Sequence, residues 1–490
     1  MRRLNWYDYI TINIYWLGLT TVLQSNGIIV PLLVQTHVGP EQQGAAFGSI
    51  RLYTLMTALL VQVLAGMLSD HSTLQWGRRR PFILVGTLLN MACLIAIGSS
   101  PSYSFLFGAV VLSQVASNIA HAAEQGLIPD IVPEDRRGLC SGVKAIMETL
   151  PVIIIALTVG KLVAGGLLWA GILVAIGVLL LSMAITMFVN EEPLREIPYP
   201  LDWKPLARTL AMTLVFLVVI LGLGEIVERA GELLYSTGST TTLLIAMGSI
   251  GLLAMVTAVI VGVRTSIRIC IGKEAARRSP SFTWWVINRL AFLAGAYNLS
   301  SFAVYFLQAR LGVEGKAAAE PASRLMMVIG IVVLSCALPG GWLADRLGRK
   351  RLVALSGVVA ALGTLTIILS PNMTAIYIGG CIVGAATGVF LTTNWALGID
   401  MVPEDKAGCY LGISNLAGAG AGAVGAYIGG PIADYFTVHA PQVPGLGYML
   451  IFAIYAALFL LSAAVTTRIR EAREESERLY CLPQSSANRR

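Results

Sequence analysis

The side chains best placed to do chemistry in this chain are a few ionisable groups set in apolar surroundings. Lys144 and Glu148 stand four residues apart and so share one face of a helix. At about 1.5 Å per residue, Glu148 lies roughly 13 Å inside the apolar run that starts at position 139, near mid-membrane. A charge at that depth costs roughly 2.5–3.5 kcal/mol on the insertion scale, which makes such residues functional candidates by default. Glu148 there would take up and release a proton and couple it to another event, unless Lys144 holds it in a permanent ion pair. Glu124 is the second coupling candidate. It occupies the place where a later copy of the same segment carries the neutral amide Asn394. His121, three residues before Glu124, would modulate it. Arg51 and Arg289 also fall within apolar runs, roughly 10 Å from their ends, where a long side chain can snorkel outward.

A second set suits a neutral polyol. Gln24 and Asn26 lie in the first apolar run, and Asn298 and Ser301 in its counterpart in the second half, with Asn394 a further amide. Tyr297, and also Tyr15, Trp16 and Tyr305, would stack on sugar rings. The same amides and hydroxyls would equally serve as glue between helices.

These residues are positioned by membrane helices. Of 490 residues, 56% are hydrophobic and only 12% charged, about half the charged share of a soluble protein. Runs of about 20 apolar residues recur, each long enough to cross a bilayer, and they do not alternate as barrel strands would. A soluble enzyme and an outer-membrane barrel are excluded, and the absence of a GxxxxGK[ST] segment argues against a nucleotide-driven pump. The net charge of +7 reads as an orientation signal, not as a nucleic-acid site. The seven cysteines are scattered and read as packing residues, and the histidines have no metal spacing, so no cofactor or metal is implied.

The apolar runs predict fourteen spans: 9–34, 44–68, 81–99, 103–127, 139–163, 167–189, 207–224, 242–263, 283–307, 322–343, 352–370, 373–398, 408–430 and 446–466. The run at 207–224 is the weakest, because it leads into Glu225, Glu228, Arg229 and Glu232, and an interfacial hairpin fits it nearly as well. The first run follows Met1-Arg2-Arg3 without a cleavage site and is read as a retained helix. Most of the arginines and lysines fall in loops on one side. That predicts both termini in the cytoplasm, in a multi-pass protein of the plasma (inner) membrane.

Two loop motifs occur twice. Gly66-x-Leu68-Ser69-Asp70, ending in Gly77, Arg78, Arg79 and Arg80, returns as Gly341-x-Leu343-Ala344-Asp345, ending in Gly348, Arg349, Lys350 and Arg351. Pro129-Asp130-Ile131-Val132-Pro133-Glu134, followed by Arg137 and Gly138, returns around Asp400 and Glu404. Two matches in one order indicate a duplicated six-helix unit. The organisation follows: residues 1–190 form one six-helix bundle, 191–282 a linker with two extra helices, 283–466 a second bundle and 467–490 a cytoplasmic tail. Asp70 ends a helix whose dipole already places partial negative charge there, and the following arginines are its natural partners. With Asp130, Glu134, Arg137, Asp345, Arg349, Arg351 and Asp400, these loops are predicted to latch a gate.

The repeated Gly-x-Leu-x-Asp…Gly-Arg-Arg-Arg loop resembles the signature of the major facilitator superfamily. Trp76-Gly77-Arg78-Arg79-Arg80-Pro81-Phe82-Ile83 is similar to the plant sucrose transporters and related glycoside–cation symporters, although these have twelve spans. The resemblance implies an all-α polytopic membrane protein that works by alternating access: a monomeric carrier of a small-molecule solute, a sugar or glycoside, in symport with a proton or sodium ion across the lipid bilayer. Two other readings stand beside it: a fourteen-span drug/proton antiporter, and a non-transporting protein of the same fold that handles pigment or assembles a complex.

Overall fold

In hydrocarbon no water is present to satisfy backbone N–H and C=O groups, so each apolar run must hydrogen-bond within itself as a helix. The computed structural model, which describes residues 5–133, 136–191, 203–234, 239–313, 315–399, 401 and 407–469, is built in this way. In chain order the helices are α1 (Trp6–Val38), α2 (Gln43–Asp70), α3 (Arg80–Gly98), α4 (Tyr103–Ile131), α5 (Arg137–Leu157), the short α6 (Val159–Ala164) and α7 (Leu168–Thr186). Then come α8 (Lys204–Leu234), α9 (Thr240–Ile271) and α10 (Lys273–Arg278). The second half holds α11 (Pro280–Ser301), α12 (Ala303–Leu311), α13 (Ala319–Leu347), α14 (Arg349–Ile368), α15 (Met373–Ile399), α16 (Ala407–His439) and α17 (Leu446–Val465).

Among the described residues, 13 helices or joined helices are long and apolar enough to cross a membrane, and α11 with α12, bent by 55°, brings the number to 14 if the pair is one span. The expected hairpin alternative at 207–224 falls away, because α8 is one unbroken helix of 31 residues. One cysteine reading changes: Cys270, at the end of α9, is disulfide-bonded.

The helix pairs of the first half recur in the second. α1 packs on α5 and α7, as α11 packs on α16 and α17. α4 is flanked by α2 and α3, as α15 is by α13 and α14. Across the seam α2 meets α16 and α5 meets α13, which are equivalent pairs in the duplicated order. The extra helices α8 and α9 pair with each other and lie chiefly on α16, with α8 also reaching α2 and α9 reaching α11 and α17.

Small residues permit the close crossing at the seam, where lipid supplies no hydrophobic force to press helices together. A Cβ on Gly48 would stand 2.5 Å from the Ala426 carbonyl oxygen, and one on Gly44 would stand 2.6 Å from that of Gly430. Phe216 of α8 fills the notches left by Gly262 of α9 and Gly420 of α16, which fastens the extra pair to the second half.

Candidate functional site

The arginine-rich loop after α2 is a tight turn. Gly77 has φ +103°, open to glycine at little cost, and a Cβ there would collide with the Glu191 carboxylate. The chain then enters α3 with Arg79 buried, its side chain 6% exposed. Arg79 pairs with Asp70 through Nη2, donates from Nε to Asp130 Oδ2 at 2.9 Å and from Nη1 to Ser69 Oγ at 3.1 Å. Burial opposes this charge, but hydrogen bonding and attraction from Asp130, then from Asp70, outweigh it and hold the guanidinium above its ordinary value. Arg78 also pairs with Asp130, donating from Nε at 3.1 Å. The expected Asp70–arginine pairing is present.

The cluster contains one residue that sequence reasoning misses. Glu191, buried after α7, accepts the backbone N–H of Arg79 at 2.8 and 3.0 Å and that of Arg80 at 3.2 Å. A carboxylate thus satisfies the otherwise orphaned amides at the α3 N-terminus and favours its dipole, which offsets the arginines placed at the wrong end. The only signal in the sequence is an acid directly after the sixth apolar run. The arginines here engage Asp70, Ser69, Asp130 and Glu191, so among the described residues this cluster braces α2, α3, α4 and the segment just after α7. Arg137 donates to the carbonyls of Val132 and Pro129, at 3.2 and 3.1 Å, and so closes the end of α4. In the second copy Gly348 again has positive φ, +89°, Arg349 donates to the Ala396 carbonyl at 3.2 Å, and Arg351 is exposed. Glu134 and Asp400 lie outside the described residues, as does the side chain of Asp345.

At mid-depth, Lys144 Nζ stands 3.6 Å from Glu148 Oε1 and 3.9 Å from the centre of the Trp16 ring. Trp16 in turn meets His121 edge-on at 5.0 Å. Glu148 keeps 39% of its side chain exposed. Glu124, by contrast, is fully enclosed, and neither carboxyl oxygen has a hydrogen-bond partner. Lys144 and Glu148 are its charged neighbours, so the three expected coupling residues come together around one spot between α4 and α5.

The expected substrate residues divide. Gln24 and Asn26 are partly buried, and Tyr297 is 40% exposed. Ser301 donates back to the Tyr297 carbonyl at 2.9 Å. Asn298 and Asn394 are fully buried. Asn298 donates to the carbonyls of Ala294 and Ala421, at 2.8 and 2.9 Å, joining α11 to α16. Asn394 donates to Asn288 Oδ1 at 2.8 Å and accepts from Arg289 Nη1 at 3.1 Å. Both act as interhelical glue, the alternative that the residue types leave open.

At the end away from the arginines, the halves are sealed together. Asp434 of α16 accepts the amides of Gly44 and Ala45 at 2.8 Å each. Gln35 and Gln308 form a reciprocal amide pair at 3.0 and 2.9 Å, and Tyr305 donates to the Pro31 carbonyl at 2.7 Å.

A family model described as Major Facilitator Superfamily matches residues 15–426, with a second match over 289–482. The chain belongs to the major facilitator superfamily. Its family and its apolar helices make it a multi-pass membrane protein. Among curated relatives, the minor myo-inositol transporter IolF of Bacillus subtilis is 27% identical over 188 residues, 38% of this chain and 39% of the relative. The sucrose transport protein SUC3 of Arabidopsis thaliana is 32% identical over 110 residues, 18% of each chain. The multidrug resistance protein MdtG of Salmonella choleraesuis is 30% identical over 162 residues, 33% of this chain and 39% of the relative. The chain thus spans less than half the length of these relatives. Two solved structures share the fold over nearly the whole chain. The nucleoside transporter NupG has a TM-score of 0.60 at 12% identity, covering 94% of this chain and 98% of that one. A D-xylose–proton symporter has a TM-score of 0.62 at 13% identity, covering 95% and 98%.

Proposed function

We propose that this superfamily member is a secondary active transporter that moves a small polar solute of the sugar or glycoside kind by alternating access, driven by a proton gradient. The observation that carries the reading is the contrast between the two ends of the seam. One end is sealed by Asp434, the Gln35–Gln308 pair and Tyr305, while Lys144, Glu148 and Tyr297 stay partly exposed at mid-depth. Polar groups at that depth face a cavity, not lipid. The conformation is then open toward the arginine-rich end, and units 1–190 and 283–466 rock about the α2–α16 and α5–α13 contacts. The insert 191–282 rides on the second unit, and the tail 467–490 stays in the cytoplasm.

Glu124 and Glu148 share the coupling role in this reading. An enclosed carboxyl with no partner is accommodated far better neutral than ionised, so Glu124 holds the proton in the present conformation, and Glu148 with Lys144 relays it to the exposed side. The arginine-rich end faces the cytoplasm and the chain sits in the plasma membrane. A basic cavity of about 180 Å³ at that same end, lined by Arg264, Arg268, Lys273 and Arg277 beside Trp284, supports this orientation.

The test is uptake of radiolabelled sucrose, maltose and myo-inositol into proteoliposomes with and without an inward proton gradient. Gradient-driven accumulation that vanishes in Glu124→Gln is the expected result. Efflux of a lipophilic cation instead of uptake would favour the drug-antiporter reading, to which the MdtG similarity points.

A further inference from the structure

Among the described residues, two arginines within the membrane-spanning helices pair with no acid. The side chain of Arg51 on α2 makes no hydrogen bond or ion pair among the described residues, and its Nε is buried without a partner. Its Nη2 lies beside Gly422 of α16, where a Cβ would stand 2.6 Å away. Arg289 on α11 has only neutral partners: Asn394 Oδ1 at 3.1 Å, and the rings of Trp395 and Trp285 at 5.3 and 5.9 Å. Its Nε is likewise unpartnered. Snorkelling does not account for Arg51, which lies about 12 Å along α2 and is held against α16.

The two arginines have one neighbour in common, Tyr297. Along α11, every residue from Trp285 to Leu299 is buried except Arg289 and Tyr297. Tyr297 is an electrostatic neighbour of both Arg289 and Arg51. Tyr297 therefore has a cation from each half of the molecule as its neighbour.

An uncompensated guanidinium in a low-dielectric site is held at a cost that an arriving anion removes, and its fork of donors matches carboxylate and phosphate oxygens. We propose that the transported solute carries such an acidic group on its polar body, and that Arg51 and Arg289 clamp it from opposite halves while the Tyr297 hydroxyl donates a further hydrogen bond. The inference rests on the transporter reading and narrows its solute from a neutral sugar to an acidic one. A clamp drawn from both halves also draws them together, so the solute itself favours the occluded state.

The test uses the full chain in nanodiscs and proteoliposomes with three probes: D-glucuronate for a carboxylate, glucose 6-phosphate for a phosphate and D-glucose as the neutral control. One of the two acids is expected to raise the melting temperature and to be taken up, with D-glucose at least tenfold weaker; which acid does so identifies the group. Arg51→Gln and Arg289→Gln should each weaken that response at least tenfold, Tyr297→Phe a few-fold, and Arg51→Lys and Arg289→Lys should retain part of it while keeping the fold. Arg229→Gln, on the exposed face of α8, should change nothing. Uptake of D-glucose with no binding or competition by either acid overturns the acidic solute and leaves the transporter reading standing. No response to any of the three probes overturns the acidic solute alone if sucrose, maltose or myo-inositol is still taken up, and overturns both readings if none of these is.

Discussion

Asp434 caps Gly44 across the seam: a carboxylate near the end of α16 accepts the first amides of α2, Gly44 and Ala45, at 2.8 Å each. A helix N-terminus in one half is thereby completed by a side-chain acceptor from the other, which satisfies two amides that the helix itself leaves without partners. The bonds exist only while that end is closed.

Asp434→Ala should therefore release that end. A buried donor left without its acceptor costs about 1–3 kcal/mol, enough to shift a two-state equilibrium by about tenfold. Spin labels at Glu41 and Val443, both exposed loop positions, should show a new, longer distance population in the variant. An unchanged distribution would remove Asp434 from the seal.

Glu191 and Gly77 should prove coupled. Glu191→Ala leaves the amides of Arg79 and Arg80 without their acceptor and is expected to cost about 1–3 kcal/mol. Gly77→Ala is strained twice, by its positive φ and by the collision with Glu191. Thermal unfolding of the single and double variants measures the coupling: Gly77→Ala should be less harmful in the Glu191→Ala background, and strict additivity would show that the two do not touch functionally.

Three of the loop arginines should rank by enclosure. Arg79→Lys removes a fork that reaches Asp70, Asp130 and Ser69 and should lower stability by about 1–3 kcal/mol. Arg78→Lys, at a side chain 23% exposed, should cost less, and Arg351→Ala, at an exposed position, should stay within about 0.5 kcal/mol of wild type. Melting curves in detergent micelles would expose a different order.

Glu124→Gln keeps the shape and hydrogen-bonding capacity of a neutral carboxyl but cannot release a proton. Solute exchange between equal pools should persist in this variant while gradient-driven accumulation falls to background. Glu148→Gln should leave Lys144 without its 3.6 Å partner and lower both activities, by about tenfold or less. Accumulation surviving in both variants would place proton coupling elsewhere.

Within the candidate site, legibility follows locality. Lys144 and Glu148 are recognisable because a four-residue spacing on a helix is enough to bring two side chains together. Asp70 and the arginines are recognisable because the ends of helices have known electrostatics. Residue type and depth assign Asn298 and Asn394 to a solute, yet each spends its amide on another helix. Asp434 escapes notice because the apolar run ends at 430 on hydropathy, whereas α16 continues to His439.

Run length and backbone satisfaction are local properties, so the sequence alone determined a helical membrane protein with 13 or more spanning-length apolar helices and arginine-rich loops that pair with acids. The rotation of each helix about its axis and the neighbour it meets depend on packing across the whole bundle. Only the tertiary structure could therefore decide that Glu191 caps α3, that Asp434 accepts from the start of α2, and that the Nε atoms of Arg51 and Arg289 are buried with no partner among the described residues.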